Sequence, residues 1–135
     1  MTGWTTLVSV DALAARMGDA GLRIFDCRFA LADPAAGEAA WRMAHIPGAR
    51  YAHLDRDLSG PHVPGAGRHP WPSAEAFAAW LGREGVTPAT QVVAYDAGDG
   101  AFAARLWWLL RSFGHDRVAV LDGGFAAWVA AGLPV

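Results

Sequence analysis

Short apolar runs alternating with amphipathic stretches organise this chain. Ser9 followed by Val10, Leu13, Ala14 and Met17 is an N-cap and then an i, i+3, i+4, i+7 stripe. That pattern predicts a short amphipathic helix ended by Gly18 to Gly21. Leu22 to Asp26 reads as a compact strand, and residues 30–37, rich in Ala, Asp, Pro and Gly, as a loop. Glu38 to His45 predicts a short helix stopped before Pro47, and Arg50 to Ala52 a further short strand. Leu58 to Pro72 carries three Gly and four Pro, an irregular excursion of 15 residues. Excursions of that length often serve function. Ser73 caps a helix with the stripe Phe77, Trp80, Leu81, and a turn through Gly85, Pro88 and Thr90 leads into Gln91 to Tyr95, a buried-type strand. After the tight loop Asp96 to Gly100 come a strong helix, Phe102 to Phe113, a strand, Val118 to Leu121, a turn, Asp122 to Gly124, and a last helix, Phe125 to Ala131. Strands alternating with helices predict an α/β fold, a central parallel sheet of about five strands with helices on both faces.

The helix after Gly100 is apolar nearly all round. At about 100° per residue, Ala103, Leu106, Trp107, Leu110 and Phe113 share the face expected to pack on the sheet. The opposite face carries Arg105 and Ser112, but also Phe102, Trp108 and Leu109. A helix of this kind is covered on both sides. The pattern therefore predicts a second domain or another subunit over Phe102, Trp108 and Leu109. Scattered exposed apolar residues are the plainer alternative.

Composition narrows the class. The chain has 135 residues, 53% hydrophobic and 18% charged, which fits one folded domain over residues 1–135 and excludes a disordered or fibrous chain. With a net charge of −2 and a pI near 6.2, nothing draws it to nucleic acid or an anionic membrane. No apolar run approaches the roughly 20 residues of a membrane span. All 11 basic side chains are Arg, so no lysine is present for phosphate binding or Schiff-base chemistry. Cys27 is the single cysteine, which excludes an internal disulfide and a Cys-rich zinc site. Residues 1–17 lack a basic segment followed by an apolar one, so the expectation is no signal peptide and a cytoplasmic protein.

In parallel α/β folds, ligands bind where strand ends meet helix starts, and the loop Asp96, Ala97, Gly98, Asp99, Gly100, Ala101 sits at such a place. Its glycines let backbone N–H groups converge, and the following helix adds a positive dipole end, which together favour an anion. Two carboxylates there would repel an anionic ligand, by about 1 kcal/mol at 4 Å even in water. A carboxylate is instead expected to take the anion position itself, capping the loop amides. No neighbouring residue completes a ligand set with Asp96 and Asp99, so neither a metal nor a cofactor is expected. The Asp-x-Asp-x-Thr pattern of phosphotransfer nucleophiles is absent.

Several motifs then occur in order: Asp26-Cys27-Arg28, His45-Ile46-Pro47-Gly48-Ala49, Leu54 to Ser59, His69-Pro70-Trp71-Pro72, and Val92 to Asp96. They are followed by Ala104 to Arg111 with its Arg105-x-Trp107-Trp108, by Phe113-Gly114-His115, and by Val118 to Trp128 with Leu121-Asp122-Gly123-Gly124-Phe125. Together they closely resemble, over essentially the whole chain, the N-terminal domain of two-domain rhodaneses, the thiosulfate and 3-mercaptopyruvate sulfurtransferases.

The resemblance implies that two similar domains face each other across a cleft, and that the C-terminal one supplies the catalytic Cys in the loop equivalent to Asp96–Ala101. That Cys takes sulfur from thiosulfate or 3-mercaptopyruvate as a persulfide and passes it to cyanide or a thiol, which a carboxylate cannot do. Asp96 then marks a pseudo-active site, with no catalytic residue in this chain, and Phe102, Trp108 and Leu109 face the C-terminal rhodanese domain or a subunit in its place. A small sulfur donor would bind only in the full enzyme. The resemblance also implies that Asp55 and His69 reach the cleft and support a Ser of the other domain in proton transfer. Residues 65–67 lengthen the loop between them relative to the family, and a capping Asp with a solvent His is the alternative reading. Arg105 is expected to form an ion pair or face the cleft. Cys27 could restore activity, although a small buried apolar role fits its place beside a strand. His45 is expected to bond locally in its turn, and His115 to help end the long helix. At about half the family's length, the chain reads as part of a longer protein or as a split gene product. A stand-alone inactive module with a binding or regulatory role is the other reading.

Overall fold

A computed structural model describes residues 3–135. The elements are β1 (Leu7–Val8), α1 (Val10–Ala14), β2 (Leu22–Asp26), α2 (Ala36–Met43), β3 (Arg50–Tyr51), α3 (Ala74–Arg83), β4 (Gln91–Tyr95), α4 (Ala101–Ser112), β5 (Val118–Leu121) and α5 (Gly124–Ala130). The five strands form one parallel sheet in the order β1-β5-β4-β2-β3, flanked by helices as the alternating pattern predicts. No helix among the described residues is long and apolar enough to cross a membrane.

β4 is buried along its full length because it lies in the middle of the sheet with both faces covered. On one face Phe25, Val92, Ala94 and Val118 pack with Phe77 and Trp80 of α3 and with Ala103, Leu106, Leu109 and Leu110 of α4. On the other, Ile24, Val93, Tyr95, Ala119 and Leu121 pack with Leu13 of α1 and Trp128 of α5. Successive strand residues thus serve two cores, as the period of two requires.

Several boundaries move. β1 has no counterpart in the sequence pattern; it is a two-residue edge strand with Leu7 opposite Val120 and Val8 opposite Leu121. α1 ends a turn early, where the bonds shorten to Arg16 N–H onto the Leu13 carbonyl and Met17 N–H onto that of Ala14. α2 begins and ends two residues before the predicted Glu38–His45. At its end Ala44 is extended, because Arg28 takes the Ala44 carbonyl at 2.6 Å and His45 folds back onto Trp41 with Nδ1 2.6 Å from the Trp41 carbonyl. The His115 N–H closes the end of α4 on the Leu110 carbonyl at 2.8 Å, whereas its ring bonds across to the segment before β4, Nε2 lying 2.9 Å from the Thr90 carbonyl.

The surface drawn on α4 needs correction. Leu109 is fully buried, Phe102 is half-buried against the core, and Trp108 alone stands out, 57% exposed. The cover comes from the chain itself. The segment carrying Leu54 and Leu58 joins the same core as Leu109, and Arg105 on this flank donates to the carbonyls of Leu58, His69 and Pro70. The Leu58–Pro72 excursion is therefore an outer wall on α4.

Candidate functional site

The connection from β2 runs toward β3 and that from β4 toward β5, so the strand order reverses between β2 and β4. A crevice opens at such a switch point, at the C-terminal strand ends. Here it is a cleft of about 340 Å³ lined by Arg28, Phe29 and Ala30 after β2, Ala36, Gly37 and Ala40 of α2, and Asp96, Ala97, Asp99 and Phe102 after β4.

Asp96 closes one side of it. Its Oδ1 accepts the amides of Gly98 and Gly100, both at 3.0 Å, and its Oδ2 those of Phe102 at 3.1 Å and Ala103 at 3.0 Å. The buried carboxylate thus occupies the anion position formed by the loop and the first turn of α4. Asp99 is exposed and caps Ala101 N–H at 3.0 Å. The loop is pinned from behind by α5, since Phe125 N–H donates to the Asp96 carbonyl at 2.8 Å. Gly124 makes that approach feasible: at φ +60°, a Cβ there would meet the Asp96 carbonyl oxygen at 2.6 Å.

Cys27 lies elsewhere. It is buried, and its thiol faces the Phe25 carbonyl at 3.9 Å. Burial pushes the thiol well above its ordinary range, and the negative charges of Asp26, Asp96 and Asp57 push it further. Reactive cysteines sit in the opposite environment, cationic and partly exposed.

Its neighbours form a network that the sequence pattern does not reveal. The fully buried Asp26 pairs with Arg28, at 2.6 Å, and accepts the Tyr95 hydroxyl at 2.8 Å. The Tyr95 oxygen in turn accepts Ile46 N–H at 3.2 Å, and the Arg28 guanidinium lies over the Phe125 ring, 4.2 Å from its centroid. This network ties β2, the Ile46 turn, β4 and α5 together under the cleft. An Asp at the end of a buried strand with an Arg two residues on was the available signal.

A second cavity of about 310 Å³ adjoins the first across Phe29, lined by Leu31, Pro34, Asp55, His62, Gly67, Arg68 and His69. Asp55 and His69 meet in it: Oδ1 lies 2.9 Å from Nδ1, close but not aligned as a hydrogen bond, and His69 Nε2 is buried without a partner. The Phe29 ring stands edge-on to His69 and to Phe102, with centroids 6.4 and 5.7 Å away. Arg105 holds His69 from outside the cavity. Its Nη2 reaches the His69 carbonyl at 2.9 Å and the Leu58 carbonyl at 2.9 Å, and its guanidinium lies over Trp71. The ion pair anticipated for Arg105 is absent among the described residues; main-chain carbonyls of the excursion take its donors, and burial lowers its pKa. Among the described residues, no group of three or more His, Cys, Asp or Glu side chains is arranged to hold a metal ion.

Comparison with known proteins gives a consistent result. Residues 9–131 match the rhodanese-like domain family. Over 129 residues the chain is 51% identical to a Pseudomonas aeruginosa protein named as a probable 3-mercaptopyruvate sulfurtransferase, covering 94% of this chain and 45% of that protein. The human 3-mercaptopyruvate sulfurtransferase is 40% identical over 132 residues, 93% of this chain and 42% of its own length. Among solved structures, Escherichia coli SseA, a 3-mercaptopyruvate sulfotransferase, superposes with a TM-score of 0.83 at 33% identity, covering 97% of this chain and 50% of that one. The Leishmania major 3-mercaptopyruvate sulfurtransferase gives 0.86 at 35% identity, covering 96% of this chain and 35% of that one. The chain spans about half the length, or less, of these relatives.

Proposed function

Because the chain belongs to the rhodanese-like domain family and is homologous to 3-mercaptopyruvate sulfurtransferases, we propose that it is the non-catalytic N-terminal domain of a two-domain sulfurtransferase. The observation that carries this reading is the state of Asp96. Four amides converge at the switch-point cleft, where they would stabilise a thiolate or persulfide, and a carboxylate already holds all four. The buried thiol of Cys27 cannot replace the nucleophile.

The sulfur relay then belongs to a Cys on a second rhodanese domain, in the remainder of a longer protein or in a second polypeptide. Its thiolate attacks the outer sulfur of thiosulfate, releasing sulfite, or the sulfur of 3-mercaptopyruvate, whose carbon takes a proton and leaves as pyruvate, and the resulting persulfide hands that sulfur to cyanide or a thiol. This chain contributes one wall of the cleft. Asp55 Oδ1 stands beside His69 Nδ1, and Nε2, with no partner inside the domain, is the atom assigned to a hydroxyl of the second domain. Phe102 and Trp108 form the facing apolar surface, now without Leu109.

The test is sulfur transfer by the chain alone and in combination. Alone, it is expected to produce no thiocyanate from thiosulfate and cyanide above a protein-free control. Joined to the catalytic half, it is expected to support turnover of 3-mercaptopyruvate that His69→Ala lowers. Thiocyanate formation by the chain alone refutes the non-catalytic assignment, and unchanged turnover in His69→Ala refutes the proton relay.

A further inference from the structure

The segment after β3 contains a third imidazole that neither the family resemblance nor the proposed relay uses. The Nδ1 of His53 lies 3.1 Å from Asp55 N and 3.2 Å from Arg56 N, and its Nε2 lies 3.1 Å from the Pro34 carbonyl oxygen. These partners determine the protonation. Two backbone N–H groups converge on Nδ1, so that nitrogen presents a lone pair. A carbonyl oxygen accepts only, so Nε2 carries the hydrogen. We propose that His53 is the positioning residue of the Asp55–His69 pair, acting as a neutral imidazole fixed in the Nε2–H tautomer.

The surroundings hold the ring in that role. Phe29 and Tyr51 stand edge-on to it, with centroids 5.4 and 6.0 Å away. The His53 main chain closes the same turn: its N–H donates to Asp57 Oδ2 at 2.9 Å, and its carbonyl accepts the amides of Asp57 and Leu58. The charged groups around it are Asp55, Arg56, Asp57 and Glu38, with Arg56 bound to both Asp57 and Glu38. The imidazole therefore does what a capping side-chain oxygen does at a helix start, accepting amides two and three residues on.

Its two ring nitrogens reach two segments that line one cavity. Pro34 and Asp55 both line the space containing His69. Through Nε2 the ring ties down the loop carrying Leu31 and Pro34, and through Nδ1 it fixes the backbone that aims the Asp55 carboxylate at His69 Nδ1. Loss of the Nδ1 acceptor orphans two amides and frees the turn that sets this direction. The importance of the pair rests on the function proposed above, but the geometry is measurable in this chain without turnover.

The experiment separates the two nitrogens. Asn places an acceptor near Nδ1 and lacks the far donor, Gln places a donor near Nε2 and lacks the near acceptor, and Phe keeps only the ring. Imidazole 15N–1H correlation spectra of the isotopically labelled chain read the tautomer of His53 and the ring signals of His69, and amide hydrogen exchange reads Asp55 and Arg56. The expected results are the Nε2–H pattern for wild-type His53 and an unchanged His69 spectrum in His53→Asn, with both amides exchanging within about threefold of wild type. His53→Gln and His53→Phe should speed both amides by about tenfold or more. In these two variants the His69 signals should move to those of Asp55→Ala. A hydrogen on Nδ1 of wild-type His53 overturns the proposal, and so does wild-type His69 signals in His53→Gln. The tautomer measurement and His53→Asn decide the matter even if His53→Phe fails to fold. A negative turnover assay beside the expected spectra would refute only the proposed function.

Discussion

Asp96→Ala is the most informative perturbation of the switch-point loop. It removes the acceptor of four backbone amides and leaves them with no protein partner. Hydrogen bonds to a charged group are worth about 1.5–3 kcal/mol each, so the gross loss would reach about 6–12 kcal/mol if all four amides stayed dry. They do not, because Asp96 lines the open cleft and water can reach part of the cradle. Removing one side of a buried charge-assisted cluster costs about 3–5 kcal/mol, the expected destabilisation here. Against a total of about 5–15 kcal/mol for a domain, the variant folds but is fragile. Urea titration followed by circular dichroism measures the difference. The vacated cradle should then bind a small carboxylate: formate at 100 times its dissociation constant would restore about 2.7 kcal/mol to the variant and little to wild type at matched ionic strength. A loss below about 1 kcal/mol in Asp96→Ala, or equal formate stabilisation of both proteins, would refute the reasoning.

Three further outcomes follow from the same geometry. Burial holds the Cys27, Tyr51 and Tyr95 protons beyond their ordinary ranges, with Asp26 adding to each. The unfolded chain therefore releases these protons first as pH rises, and stability falls above about pH 8.5 for the thiol and more steeply above about 10 for the phenols. The thiol alone gives about 2 kcal/mol of loss between those limits, so denaturation curves of Cys27→Ala should flatten that first segment; an unaltered slope contradicts the account. Arg105→Met strips partners from the carbonyls of Leu58, His69 and Pro70. It should destabilise by about 2–3 kcal/mol and speed proteolytic cleavage within residues 60–68, and a resistant loop would show that other contacts hold it. Gly37→Ala drives a Cβ into the Arg28 carbonyl and the Tyr51 hydroxyl. A loss of about 3 kcal/mol is expected, and a thermal melt unchanged from wild type would mean that α2 can shift freely away from β2.

The parts of the fold legible in the sequence are those where burial alone decides. β2, β4 and β5 lie where their apolar runs predict, residue for residue, because each is buried and bracketed by turn residues. β1 escapes because two residues carry no periodicity; pairing with Val120 and Leu121, more than a hundred positions away, makes them a strand. The misreading of Leu109 has the same origin. A helical wheel shows which residues share a face but not what covers them, and the cover here is the excursion, which has no regular structure to register as a layer. The long loop and the over-apolar helix, read as separate oddities, are two sides of one contact.

The site divides along the same line. The role of Asp96 is foreseeable because the cradle is local: glycines, a helix start and a carboxylate fall within eight residues, and Asp96 reaches the amides of residues 98, 100, 102 and 103. The approach of Asp55 to His69 follows from no local rule, since the 14-residue separation spans the least regular part of the chain. Arg105, from a helix far along the sequence, ties that segment down at both ends. The Asp26–Arg28–Tyr95 network is hidden for a related reason, because Tyr95 comes from another strand, and the reach of His53 across to the Pro34 carbonyl is hidden likewise. Amides that would activate a thiolate hold a carboxylate inert, since the same dipoles stabilise either anion and only the nucleophilicity of the side chain differs. In this domain the switch-point cradle therefore contributes stability, while the neighbouring cavity holds buried polar atoms without a hydrogen-bond partner, on Asp55 and His69.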